Sequence, residues 1–315
     1  MKVCCPRTAS IHFAAILAMV SSSLSLAADD RGVAPNVSAS PHPVVAALIE
    51  GGFPVAEGVK TPLSPPLLSP RMTGDEQQAA IQTVVSGALY DRFVRERVTA
   101  RQEFEVSTAG ELPDGGKVRR LDQYFIVHGS LALIRDEQLM DGFMAQEKKH
   151  ADADARGLSQ YLEPLDPTAG KPEDGEPYVY RYRYPLLNKV VISGLIRGQS
   201  YSGENVLIES AVSAEDLLAD ADNPTVWRDI PRRAESDAQL GPPTTFRGVA
   251  GYLQVTDLDF LPGAVLVEVH GLLVEPYDWY RGKNLLGSKL SFVAEENVEK
   301  LRRKVKKLKA AEAAQ

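Results

Sequence analysis

The chain has 315 residues, a formal net charge of −7, two cysteines and 44% hydrophobic residues. That length suits one domain with a well-filled core, and the acidic balance excludes nucleic acid as a partner for the whole protein. Both cysteines, Cys4 and Cys5, precede the first apolar run, so the chain beyond it has no thiol for a disulfide, a nucleophile or a metal site.

Lys2 and Arg7 lead into an apolar run from Ile11 to Val20, followed by Ser25-Leu26-Ala27 and Ala28. This is the pattern of a signal peptide over residues 1–28, and the run is far shorter than the roughly 20 residues of a membrane span. The expectation is a secreted chain, periplasmic or extracellular, with no transmembrane segment and no lipid-bearing cysteine. Residues 29–72 are rich in proline and read as an extended leader, with one short helical candidate at Pro43 to Glu50 closed by Gly51-Gly52.

A single α+β domain is expected over residues 73–309, with a disordered tail at 310–315. Thr73-Gly74-Asp75-Glu76 is a capping box, and Ile81, Val84, Val85 and Ala88 follow at helical steps, which predicts a helix from Gly74 to Arg97. A strand near Gln102 to Ser107, the turn Leu112 to Gly116 and a strand from Val118 to Ile134 form a hairpin, before a short helix at Asp136 to Gln146. Residues 146–177 are polar and contain Pro and Gly, the composition of a lid or a disordered insertion. Tyr178, Tyr180, Tyr182 and Tyr184 then alternate along a strand with an all-tyrosine face. A hairpin over 189–199 and 205–213, a short helix at 214–221 and a second long loop at 222–245 follow.

The last third has the firmest pattern. Ala250 to Leu258 and Ala264 to Val274 alternate at period two around Pro262-Gly263, a β-hairpin. One face of its second strand is wholly apolar or glycine, while the other mixes Glu268 and His270 with apolar residues, as a half-covered or wet face would. Leu290, Ala294, Val298, Leu301, Val305 and Leu308 form one helical stripe, with Glu295, Glu296 and Glu299 early and seven Lys or Arg between Lys300 and Lys309. Such a stripe has to dock on the preceding sheet. Gly129, Gly194 and Gly271 sit between apolar residues in three strands and suggest bends.

The order of helix, antiparallel strands and long terminal helix, with Gly282 to Leu290 leading into that helix, resembles the START-like helix-grip fold of lipid-binding and polyketide-cyclase-like domains. The resemblance covers Thr73 to Lys309 and implies a curved antiparallel sheet with the C-terminal helix packed on it. The whole chain also resembles uncharacterised exported bacterial proteins of unknown function, a likeness that implies no activity.

Catalytic signatures are absent: there is no G-x-S-x-G, Walker loop, G-x-G-x-x-G or H-E-x-x-H. His128 and His270 stand beside two of the strand glycines and would form a ligand or metal pair if they met on one sheet face. Asp152, Asp154 and Glu163 match EF-hand positions, but Arg156 places a cation where a ligand belongs, so an acidic solvated loop is the stronger reading. Tyr180 and Tyr182 are candidate ligand contacts if their face is not simply covered by a neighbour. The expected function is a non-enzymatic binding module holding an apolar ligand between sheet and terminal helix, with no cofactor. The alternatives are an envelope-associated structural protein using its basic helix on an anionic surface, and a hydrolase with an unrecognised site.

Overall fold

A computed structural model of the protein describes residues 42–135, 158, 160–166, 174–187, 189–218, 222–231, 240–280 and 283–312. The expected helix Asp136 to Gln146 and the EF-like aspartates Asp152 and Asp154 lie outside these residues.

Within them, ten strands form one antiparallel sheet. These are β3 (Glu103–Glu111), β4 (Lys117–Val127), β5 (Tyr161–Pro164), β6 (Pro177–Leu186), β7 (Val190–Ser202), β8 (Val206–Val212), β9 (Val226–Asp229), β10 (Thr244–Thr245), β11 (Val249–Asp257) and β12 (Val265–Glu275). The main path runs β3-β4-β12-β11-β8-β7-β6-β5, and β9 with β10 extends the first half of β7. A twisted sheet of this width is curved. The hairpin β11–β12 is the one expected, with Gly263 at φ 76° in the turn.

The terminal helix, α7 (Leu285–Glu312), follows six shorter helices among the described residues and lies on one face of this sheet. Asn284 opens it by accepting from the Gly287 amide at 3.1 Å, and glycine at 287 leaves room for that cap, since a Cβ there would stand 2.7 Å from the Asn284 side chain. The predicted stripe is the buried face: Leu290, Ala294, Val298 and Val305 are buried, while Leu301 and Leu308 pack from its margin. The backbone of α7 runs close to β3 and β4. Arg302 fastens its second half. Buried, it donates to the carbonyls of Ile126 (2.9 Å), Ala100 (2.6 Å), Val98 (3.3 Å) and Arg101 (3.4 Å).

The opposite face is also covered, in part by the short helix expected at Pro43 to Glu50. Residues 42–72 carry α1 (Pro43–Glu50) and the small hairpin β1 (Phe53–Ala56)–β2 (Val59–Thr61), which pack on Val118, Ile208, Tyr252 and Leu272. This part of the segment expected to be an extended leader is therefore folded onto the sheet, because Val45, Leu48, Phe53 and Val55 supply an apolar face of their own. Beyond it come α2 (Gly74–Val84) and α3 (Gly87–Phe93) over Ile126 and Leu266. The capping box at Thr73 is present, but the single expected helix is broken: Val85 is extended (φ −118°, ψ 104°), and Ser86 begins α3.

Two further expectations are corrected. The strand expected to reach Ile134 stops at Val127, because the Ser130 hydroxyl caps a helical turn, α4 (Leu131–Ile134), by accepting from the Leu133 amide. Gly129 therefore follows a strand instead of bending one. The two remaining helices are single turns, α5 (Glu215–Leu218) and α6 (Tyr277–Tyr280).

Candidate functional site

Register decides which side chains meet. On the helix-facing side of β6 stand Tyr178, Tyr180, Tyr182, Tyr184 and Leu186, opposite Gly198, Ile196, Gly194, Ile192 and Val190 of β7. The tyrosine face is thus covered by the first half of α7 and by α6. Tyr180, Tyr182 and Tyr184 join Trp227, Phe246, Trp279 and Tyr280 with Leu286 and Leu290 in one buried cluster. Trp279 anchors it: its ring centroid lies 5.4 Å from Phe246, 6.2 Å from Trp227 and 6.1 Å from Tyr280.

Three polar atoms in this cluster lack a hydrogen-bond partner among the described residues. They are the hydroxyl of Tyr280 and the indole N–H groups of Trp227 and Trp279, on side chains no more than 5% exposed, while the Tyr182 hydroxyl has that of Ser213 beside it. Burying such a group without a partner costs on the order of 1–3 kcal/mol. Burial raises the pKa of both phenols, that of Tyr280 with help from the nearby Glu275 charge, so both are neutral donors. The charged groups on the same sheet face are satisfied. Arg119 donates to Glu275 and, at 2.8 Å, to Thr108, and the Glu209 carboxylate accepts from Tyr178 at 3.0 Å and Ser200 at 2.5 Å.

Beside the cluster the sheet is low. Gly271, Gly251, Ala211 and Gly198 are consecutive cross-strand partners on the helix-facing side. The space above Gly198 is filled by the Tyr178 ring, but a Cβ on Gly271 would meet nothing closer than 3.8 Å. At this one register, between flanking side chains such as Val269 and Leu273, three adjacent strands present almost no side chain toward α7, a shallow trench roughly 10–14 Å long across the strands at the usual strand spacing.

A second polar centre occupies the other face. His270 stands directly across from Asp122, with Nδ1 at 2.6 Å from its carboxylate, and Nε2 is 3.5 Å from Glu268. Tyr252 lies against the imidazole at 4.7 Å and Tyr124 meets it edge-on at 5.5 Å. His128 does not belong here. It follows the end of β4, six residues along the strand direction or about 20 Å from His270, and its Nε2 pairs with the Val94 carbonyl at 3.0 Å. The candidate histidine pair, which depended on the two meeting on one sheet face, therefore does not form, because register separates the two residues. Glu163 on β5 is exposed and ion-paired with Arg181 at 3.2 Å, and no group of three His, Cys, Asp or Glu suited to a metal occurs among the described residues.

Trp227, Phe246, Trp279 and Tyr280 were not singled out from sequence, since each lies in a loop or an element too short to show a period. The signal available was composition: both tryptophans of the chain fall in otherwise patternless links.

The fold is α+β, a curved antiparallel sheet with a long C-terminal helix packed on one face. No protein-family model and no curated protein matches the chain. Among solved structures, it is similar to the human StarD13 (DLC2) lipid transfer and protein localization domain, with a TM-score of 0.30 and 9% identity over 64% of this chain and 88% of that one. It is also similar to a protein from Rhizobium leguminosarum (TM-score 0.24, 9% identity, 64% and 99% covered) and to CalU16 from Micromonospora echinospora (0.19, 12%, 65% and 97%).

Proposed function

We propose that the protein is an exported, non-enzymatic module that holds a largely apolar, ring-bearing ligand between the sheet and α7. The observation that carries this reading is the set of three buried donors on Tyr280, Trp227 and Trp279 that have no partner among the described residues, within an aromatic and aliphatic wall. Aromatic faces suit a flat apolar body, and donors without acceptors suit a ligand that brings one or two oxygen acceptors of its own. Tyr180 and Tyr182 are then wall residues of the site, and His128 and His270 stand apart from it. Export rests on the sequence of residues 1–28.

The hydrolase alternative has less support. Asp122 and His270 are paired, but the Ser64 hydroxyl donates to the carboxylate at 3.1 Å and not to the imidazole, so Ser64 is not activated as a nucleophile. The envelope-anchor alternative loses part of its charge to ion pairs: Lys300, Arg303 and Lys309 of α7 are engaged by Glu296, Glu299 and Glu96.

The test is native mass spectrometry of the exported protein before and after organic extraction. The expected result is a small-molecule adduct that extraction removes and that Tyr182→Phe combined with Tyr280→Phe retains less well. A folded protein that carries no adduct and takes up no added N-phenyl-1-naphthylamine would contradict the proposal.

A further inference from the structure

Residues 62–70 include Pro62, Pro65, Pro66 and Pro70, so this segment cannot join the sheet as a ladder strand. It crosses the face opposite α7 as a strap, and side chains of the sheet and its adjoining turn satisfy its backbone instead. Arg120 donates to the Pro62 carbonyl (3.0 Å), Tyr252 to Ser64 (2.8 Å), Gln254 to Leu68 (2.7 Å) and Asn205 to Pro70 (2.9 Å). In the other direction, the Leu67 and Leu68 amides both donate to the Glu268 carboxylate, at 2.6 and 3.1 Å, and the Ser64 hydroxyl donates to Asp122.

The two carboxylates that hold the strap are the two that flank His270, and His270 and Glu268 are completely buried. The other titratable or charged groups facing this centre are Tyr124 on β4, Tyr252 on β11, Glu105 across from Asp122 on β3, and Arg120, whose guanidinium is turned to the strap. We propose that His270 is a proton-operated latch for this strap: while its imidazolium stands between Asp122 and Glu268 the strap stays seated, and loss of that proton releases it.

The physical reason is desolvation. With an imidazolium present, the strap covers two anions and one cation and supplies three donors; with a neutral imidazole, it would have to keep two like charges dry, which favours admitting water. Burial alone would lower the imidazole pKa, but the hydrogen bond to Asp122 and the charges of Asp122 and Glu268, the latter 3.5 Å from Nε2, raise it from 6.5 to about 9. A raised pKa places the stabilisation below about pH 6.5 in full and removes it as pH rises through about 9.

The experiment is hydrogen exchange of the Leu67 and Leu68 amides from about pH 5 to about pH 10, expressed as protection relative to the free peptide. In the wild-type chain, protection should collapse with a midpoint near pH 9 while β11 and β12 stay protected. Asp122→Asn, which removes one of the charges holding the proton, should move that midpoint downward, a shift that a merely structural role would not produce. His270→Gln should leave the two amides unprotected throughout; if that variant does not fold, the Asp122→Asn midpoint still decides. Protection that is flat to about pH 10, that disappears only together with the whole sheet, or that has the same midpoint in Asp122→Asn, overturns the latch.

Discussion

Replacing Leu290 by alanine should be among the most damaging single changes to this protein. Leu290 is fully buried on α7 among the aromatic residues beneath the helix, and truncating such a leucine costs about 2–5 kcal/mol from lost transfer energy and the cavity left behind. Leu301 lies on the margin of the same stripe and is only partly buried, so Leu301→Ala should cost about half as much, roughly 1–2 kcal/mol. Phe292, on the outward side of the helix, is 56% exposed, and Phe292→Ala should stay within about 0.5 kcal/mol of wild type. Urea unfolding reads this gradient. At a slope of about 3 kcal/mol per molar, a 3 kcal/mol loss moves the midpoint by about 1 M. If Leu290→Ala unfolds at the wild-type midpoint, or Phe292→Ala falls further than Leu290→Ala, α7 is not docked through this stripe and the site beneath it is lost with the argument.

Arg302→Met should cost on the order of 2–3 kcal/mol, because it strips the donors from the carbonyls of Ile126, Val98, Ala100 and Arg101; denaturant midpoints check it. Reversing Lys306 and Lys307 to glutamate changes exposed positions and should leave the midpoint nearly unmoved; unchanged binding of that variant to anionic vesicles removes the envelope-anchor alternative. Mass spectrometry of exported protein should find a chain beginning at Ala28 or Asp29 without a lipid adduct, and a lipidated species would refute that reading of residues 1–28.

The hairpin β11–β12 and the stripe of α7 were legible in the sequence because each has a clean period and one covered face to match it. The break between α2 and α3 was not, since Val84, Val85 and Ala88 keep helical spacing across Ser86 while the backbone at Val85 turns extended. The alternation in β12 sets Glu268 and His270 on a face that reads as half-covered or wet; both are fully buried. What hides them is a proline-rich strap whose backbone needs side-chain partners, so the charges on β12 and the prolines far upstream are two halves of one arrangement that no local pattern reveals. The aromatic site was half visible: the tyrosine face announced itself by alternation, while Trp279 and Tyr280 on a single helical turn and Trp227 on a four-residue strand carried no period at all.

Because Trp227 and Trp279 are the only tryptophans in the chain and both lie in the proposed site, tryptophan emission reports on that site alone. Titrating the folded protein with N-phenyl-1-naphthylamine should give saturable quenching of tryptophan with matching sensitised emission from the probe. Both signals should be weakened in a folded Gly271→Leu variant, whose added side chain occupies the trench beside the cluster. Tryptophan emission indifferent to the probe, or equal binding by wild type and a folded Gly271→Leu variant, would contradict a ligand site between the sheet and α7.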